Sequence, residues 1–350
     1  MALSIPGPST VEPTVSTTLL STPTPPLQHP NSNSPTIRLL FTGDINPGRC
    51  PAQIALAHND FTLAYQAVGD ELRAADLAIG SLDGAISDLS PPAACPQTMN
   101  LIGPSRTVEG LSFAGFDVIT VATNHAKDCG ALGWNCDDRA FRDTLRYLAQ
   151  AGLRPVGGGE TLGDARVPVV VESQGVRFAF LGVTAVGDET WASEAGPGTA
   201  PLSDEAMESL TAGIAAARAQ ADAVIVLAQW GTEYAETPDA NQLRWAGQMM
   251  EAGAALVIGN HPHMIQPVEV FSHGVVAYAL GNFVFDQGPW RTRQGVVFEA
   301  IFRGGTLESW RLRPIHIHGL YQPHWADAAE AEAILARVEA ASAALPARDE

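Results

Sequence analysis

The stretch LVIGNHPHMIQPVEV, residues 256–270, carries an apolar run into a glycine and then sets His261 and His263 one residue apart around a proline. An apolar run this short, closed by Gly-Asn, reads as a buried strand. Pro262 stiffens the spacing of the two imidazoles at its mouth. An exposed loop needs no such placement; a metal ion or an anionic substrate does. Ligands of open α/β sheets bind beyond the carboxyl ends of strands, so the stretch directs attention to the other strand tips of the chain.

From Thr36 onward, short apolar runs rich in β-formers alternate with helical patterns. The strands expected are TIRLLFTGD, DLAIGSL, FDVITVAT, VRFAFLGVT, AVIVLAQWG, ALVIGN and VVAYALGNFVF, followed by GVVFEAIF and ESWRLRPIHIH. Several are continuously hydrophobic, as expected where both faces of a sheet are covered. The last two alternate and predict half-exposed antiparallel strands at an edge. Helices are expected at 53–68, 138–151, 204–220, 240–252 and 327–344. Asp239 with Gln242 forms a capping box, and Gly152 and Gly253 stand where C-terminal glycines belong. The sum is an α/β fold with a mixed sheet.

The predicted tips share one chemistry. FTGD delivers Asp44, followed by Asn46 and Arg49; IGSLD delivers Asp83; VATNH delivers Asn124 and His125. LAQWGTEY delivers Gln229 and Glu233, IGNHPH delivers Asn260, His261 and His263, and ALGNFVFD delivers Asn282 and Asp286. Carboxylate, amide oxygen and imidazole together suit a divalent ion such as Mn²⁺, Fe²⁺ or Zn²⁺. One ion or a pair could activate water and clamp an oxyanion, with His125 placed as general acid. His316 and His318 alternate along a late strand and read as structural, while His58, His273 and His324 carry no signal. There is no P-loop, no GxGxxG and no GxSxG elbow.

Composition narrows the partners. The chain has 350 residues and a formal net charge of −18, which argues against nucleic acid and anionic lipid as partners. No apolar stretch reaches the roughly 18 residues of a membrane span. Residues 1–36 contain 8 Pro, 7 Thr and 6 Ser with Glu12 as the sole charge, and they predict a disordered linker. A folded domain over 37–325 follows, then a C-terminal helix and tail over 326–350. Stalks of this composition tether domains to bacterial envelopes, so an extracellular or envelope-associated location is expected, any signal or anchor lying outside this sequence. Cys129 and Cys136 bracket CGALGWNC, which a disulfide could close, leaving Cys50 for Cys95; other pairings and reduced cysteines stay open.

The ordered motifs FTGDINPGR, ADLAIGSLDGAI, GFDVITVATNHAKDCG, ADAVIVLAQWGTEY, GAALVIGNHPHMIQPVEV and VVAYALGNFVFDQ resemble the bacterial capsule synthesis protein CapA family, linked to poly-gamma-glutamate synthesis. That family lies in the calcineurin-like metallophosphoesterase superfamily, and the resemblance spans about Thr36 to Phe302. It implies a four-layer α-β-β-α sandwich of two sheets. It also implies an ion or ions held by Asp44, Asp83, Asn124, His261 and His263, with His125 as acid. Asn46 stands where many phosphoesterases have a histidine ligand, and Arg49, Glu233, Gln266, Glu269 and Asn282 would shape the pocket or support the ligands. The implied substrate is an anionic envelope polymer or a small anion, handled alone or beside a membrane-bound polymer synthesis complex. Two departures bear on catalysis. Gln229 replaces a histidine before Trp-Gly, and Ser81 and Asp83 replace asparagine and glutamate, which weakens at least one ion position. A non-catalytic scaffold for polymer assembly and export is therefore the alternative.

Overall fold

A computed structural model describes residues 34–95, 99–132 and 136–348. Most of the predicted linker therefore lies outside the described residues. The chain builds two mixed sheets. In the first, the order is Gln322–Trp325, Thr306–His318, Gln294–Arg303, Thr36–Ile45, Leu77–Leu82, Val118–Thr120 and Arg154–Val156, with Asn282–Val284 pairing beside the end of Thr36–Ile45. The second runs Val268–Phe271, Gly274–Ala277, Leu256–Asn260, Ala223–Gln229, Val176–Thr184 and Val169–Ser173. The central pairings of the second sheet are parallel, and both sheets carry antiparallel strands at their margins.

Side-chain alternation along each strand explains the layers. Leu39, Phe41 and Ile79 of the first sheet meet Phe178, Phe180, Ile225 and Leu227 of the second in one buried inner core. Phe178 and Phe302 touch edge to face across that seam, with ring centres 5.2 Å apart. The alternate residues Leu40, Ala78 and Ile119 pack outward on Leu72, Leu111 and Leu148 of the helices. Val224, Val226 and Val257 do the same against Met207, Leu210, Ile214 and Met249. The result is helix, sheet, sheet, helix, the four-layer order expected. The helix Ala328–Ala343 adds Ile334 and Val338 to the inner core, so the C-terminal segment is part of the same body.

Several sequence expectations needed correction. The helix expected at 53–68 runs Arg49–His58 and stops at Asn59, which turns left-handed at φ 52°. Asp60 then accepts hydrogen bonds from the Thr62 amide and hydroxyl at 2.8 and 2.7 Å, fixing a separate turn. The strand Gln294–Arg303 is no edge: it lies between Thr36–Ile45 and Thr306–His318 and is almost wholly buried. A helix at Thr107–Ala114, with a glycine at its centre, had no clear periodic signature. The capping box at Asp239–Gln242 is present, as are left-handed Gly152 and Gly253. Both cysteine pairs are disulfides, Cys50–Cys95 and Cys129–Cys136.

Candidate functional site

Asp44 stands next to the end of its strand, at the floor of the site, and is fully buried. Gly43 makes that approach possible, since a Cβ there would stand 1.9 Å from the Gly281 carbonyl oxygen. The Asp44 amide donates to that same carbonyl at 3.0 Å. One carboxylate oxygen of Asp44 accepts from Ser81 Oγ at 3.1 Å and the other from the His261 amide at 3.1 Å. Asp83, fixed by its amide on the Ile45 carbonyl, accepts weakly from Gln229 Nε2 at 3.5 Å through Oδ1. Its Oδ2 is buried without a partner. Burial, with the charge of Asp83, raises the Asp44 carboxyl well above the ordinary carboxylate range, against the opposing hydrogen bonds.

His261 and His263 stand over this floor. Both hold left-handed backbone, φ 95° at His261 and 57° at His263, a conformation of non-glycine residues that clusters at functional sites. His263 Nδ1 lies 2.8 Å from Asn282 Oδ1. The Asn282 amide nitrogen donates to Gln287 Oε1 and the Thr292 carbonyl, so its oxygen faces the imidazole. His263 Nδ1 therefore carries the proton and Nε2 keeps its lone pair. Burial lowers His263 to about 4, overcoming that hydrogen bond; burial and the neighbouring His263 lower His261 to about 4. Both rings are neutral donors of lone pairs at neutral pH.

His125 is the opposite case. Its Nδ1 is 2.8 Å from Asp128 Oδ2, which also accepts the Leu101 amide. Burial pulls His125 down, but the charges of Asp83 and Asp128 and that hydrogen bond outweigh it and lift the ring to about 9. The imidazolium presents its remaining nitrogen from the wall of a cavity of about 300 Å³. Asp128 was missed in the sequence; its signal was a carboxylate three residues after a histidine in NHAKD.

Around this floor several buried polar atoms lack any partner: Asp83 Oδ2, Asn124 Oδ1, Gln229 Oε1, Asn260 Oδ1 and His261 Nδ1. Buried polar atoms are normally satisfied, and this set is carboxylate, amide oxygen and imidazole. It fits a divalent cation. Asn124 reaches the same neighbourhood through Thr123, whose hydroxyl donates to the Leu82 carbonyl at 3.4 Å.

Arg49, Glu233, Tyr234, Phe285, Asp286 and Leu320 also line the cavity. Arg49 and Tyr234 share the left-handed backbone, at φ 42° and 65°. Asn46 supports the wall, since its amide nitrogen donates to Asp286 at 3.1 Å and its oxygen accepts the Gly48 amide at 2.8 Å. Gln266 pins the loop after Tyr234 through the Ala235 and Thr237 carbonyls, both at 3.1 Å. Glu269 is a correction. It faces away from the site, where Tyr278 Oη and the Arg348 guanidinium take its carboxylate at 2.6 Å each.

Comparison with known proteins agrees with the motifs. Residues 38–287 match the family model for the bacterial capsule synthesis protein PGA_cap. The PGA biosynthesis protein CapA of Bacillus subtilis (strain 168) is 32% identical over 280 residues, covering 79% of this chain and 71% of that protein. The capsule biosynthesis protein CapA of Bacillus anthracis is 29% identical over 296 residues, covering 83% of this chain and 70% of the other. Among solved structures, the NAD nucleotidase NadN of Haemophilus influenzae is similar with a TM-score of 0.48 and 11% identity, over 88% of this chain and 56% of that one.

Proposed function

We propose, for a chain that belongs to the PGA_cap family of bacterial capsule synthesis proteins, a metal-dependent hydrolase or transferase acting on an anionic envelope polymer or phosphoester. The observation that carries this reading is the ring of unpartnered buried donors around Asp44 and Asp83. Asp44, Asp83, Asn124, His261 and His263 are the residues that would hold one or two ions. A divalent ion of the manganese, iron or zinc class bound there would supply Lewis acidity toward a phosphoryl or carbonyl oxygen.

The chain's own residues do the rest. Ser81 and the His261 amide orient the Asp44 carboxylate, and Asn282 fixes the tautomer of His263. His125, oriented by Asp128 on its Nδ1, is placed to donate a proton from its other ring nitrogen to a leaving oxygen or nitrogen. Arg49 places a guanidinium on the cavity wall, where it meets an anionic substrate. The two disulfides support an extracellular or envelope location. Among the described residues no helix is long and apolar enough to cross a membrane. The family context supports an anionic polymer and its synthesis machinery as partners.

The test is metal analysis of purified protein, followed by turnover of a phosphodiester and of a γ-glutamyl peptide with and without Mn²⁺. Bound ion with Mn²⁺-dependent turnover supports the reading; metal-free protein with no turnover rejects it. One observation favours a non-catalytic scaffold instead. Gln229 turns its amide nitrogen to Asp83 and offers an ion only its weak amide oxygen, where an imidazole would bind more tightly. Ion binding without turnover on either substrate class would select that alternative.

A further inference from the structure

The hairpin of Thr306–His318 and Gln322–Trp325 gathers three histidines that the central site does not use. Antiparallel register sets His316 opposite His324 and His318 opposite Gln322, so all three imidazoles share one face. Ile315 and Ile317 occupy the other face and are buried in the outer core. Ring centres are 5.2 Å apart for His316 and His318 and 4.3 Å for His318 and His324. Three imidazoles bound tetrahedrally to one ion at the usual nitrogen distances have ring centres about 5 Å apart.

Hydrogen bonding leaves the right atoms free. His316 Nδ1 donates to Glu330 at 2.8 Å, the carboxylate support that metal-bound histidines commonly have, and Nε2 is left over. Glu330 is itself held by Gln294 Nε2 at 2.9 Å. His324 Nε2 meets Gln322 Oε1 at 2.9 Å, so this nitrogen donates and Nδ1 keeps its lone pair. His318 is exposed and turns without disturbing the fold.

We propose that His316, His318 and His324 form a site for a borderline divalent ion of the zinc or nickel class, separate from the central donors, with Glu330 orienting His316. No other described cluster competes for that role. The three ligand atoms already gathered within 4.8 Å, on Cys50, Cys95 and Asp286, include two sulfurs joined in a disulfide. The ligand nitrogens of the three histidines are not all within 4.8 Å of one another, and exposed His318, next to both other rings, is the one that would turn to close the set. Leu320, between the two strands, lines the central cavity, so an ion on the hairpin would also steady one wall of that cavity.

The test uses the full chain without a polyhistidine tag, stripped with chelator and titrated calorimetrically with ZnCl₂, with bound zinc counted by elemental analysis. The native chain is expected to take one equivalent more than the double variant His318→Ala/His324→Ala. Glu330→Gln is expected to weaken that equivalent about 10- to 100-fold. Identical stoichiometry and affinity in the double variant would overturn the proposal. So would an extra equivalent that appears only at millimolar zinc, the behaviour of scattered surface imidazoles. Asp44→Asn is expected to leave this equivalent in place, which separates failure here from failure of the central site.

Discussion

Asp286 is a residue whose removal the structure makes costly. Its carboxylate is fully buried and accepts from Asn46 Nδ2 at 3.1 Å, Arg49 Nε at 3.1 Å, Arg49 Nη2, and the Cys50 amide at 3.2 Å. The Arg49 side chain is only 10% exposed, so solvent screens the pair little. Asp286→Ala takes a buried carboxylate away from a largely buried guanidinium, and breaking such a pair costs about 3–5 kcal/mol. Folded domains are stable by roughly 5–15 kcal/mol, so the variant loses a large share of the total. Urea denaturation followed by far-ultraviolet circular dichroism should show the midpoint falling by about 1 M or more. Replacing both charges, Arg49→Met with Asp286→Ala, removes the cation together with its carboxylate. The double variant should therefore be less destabilised than the sum of the singles by at least about 1 kcal/mol. Additive losses, or a single-variant loss under 1 kcal/mol, would refute the view that this ion pair organises the cavity wall.

Other consequences are measurable. Asp128→Asn removes one of the two main causes that raise His125, so the imidazole resonance in metal-free protein should titrate below about 9. Because the folded value lies above the usual 6.5, this histidine stabilises the fold below pH 6.5 and the benefit fades toward pH 9; in the variant it should fade earlier, read by denaturation at stepped pH. Reduction should destabilise unequally. Cys50–Cys95 spans 45 positions and Cys129–Cys136 spans 7, so chain-entropy arithmetic gives about 4 and about 2.5 kcal/mol; equal losses in Cys-to-Ser pairs would contradict it. Gly43→Ala forces a methyl group into the Gly281 carbonyl and should cost at least about 1–3 kcal/mol, read as a fall in Tm.

The strand tips were legible because each apolar run ends in a side chain that a core cannot hold unpaired, as at Asp44, Asp83 and His261. Glu269 was assigned to the pocket by the family resemblance, and the structure turns it elsewhere. Its strand alternates, with Val268 buried and Glu269 turned outward, and only the partner Arg348 from the chain terminus reveals where it points. The first helix was expected from 53, four residues late and beyond Pro51. Proline is tolerated in a first turn, whose amides have no partner within the helix, and Arg49–His58 begins ahead of it. His324 carried no signal because its meaning comes from a cross-strand partner set by the hairpin register.

That dependence on register applies to the centre as well. Asp44 stands in register with Ser81 on one side and Asn282 on the other, while Gln229 stands level with Asn260 and Thr184 in the second sheet. The two rows face each other, and two hydrogen bonds tie them together: the His261 amide to Asp44, and Gln229 to Asp83. A slip of one residue in either sheet would turn every member of its row to the other face, and the inner aromatic seam of Phe178 and Phe302 would move with it. The apolar core therefore does more than stabilise the sandwich. By fixing which residues face inward, it also fixes which carboxylates and imidazoles meet at the carboxyl ends, so the position of the polar centre follows from the packing of the hydrophobic one.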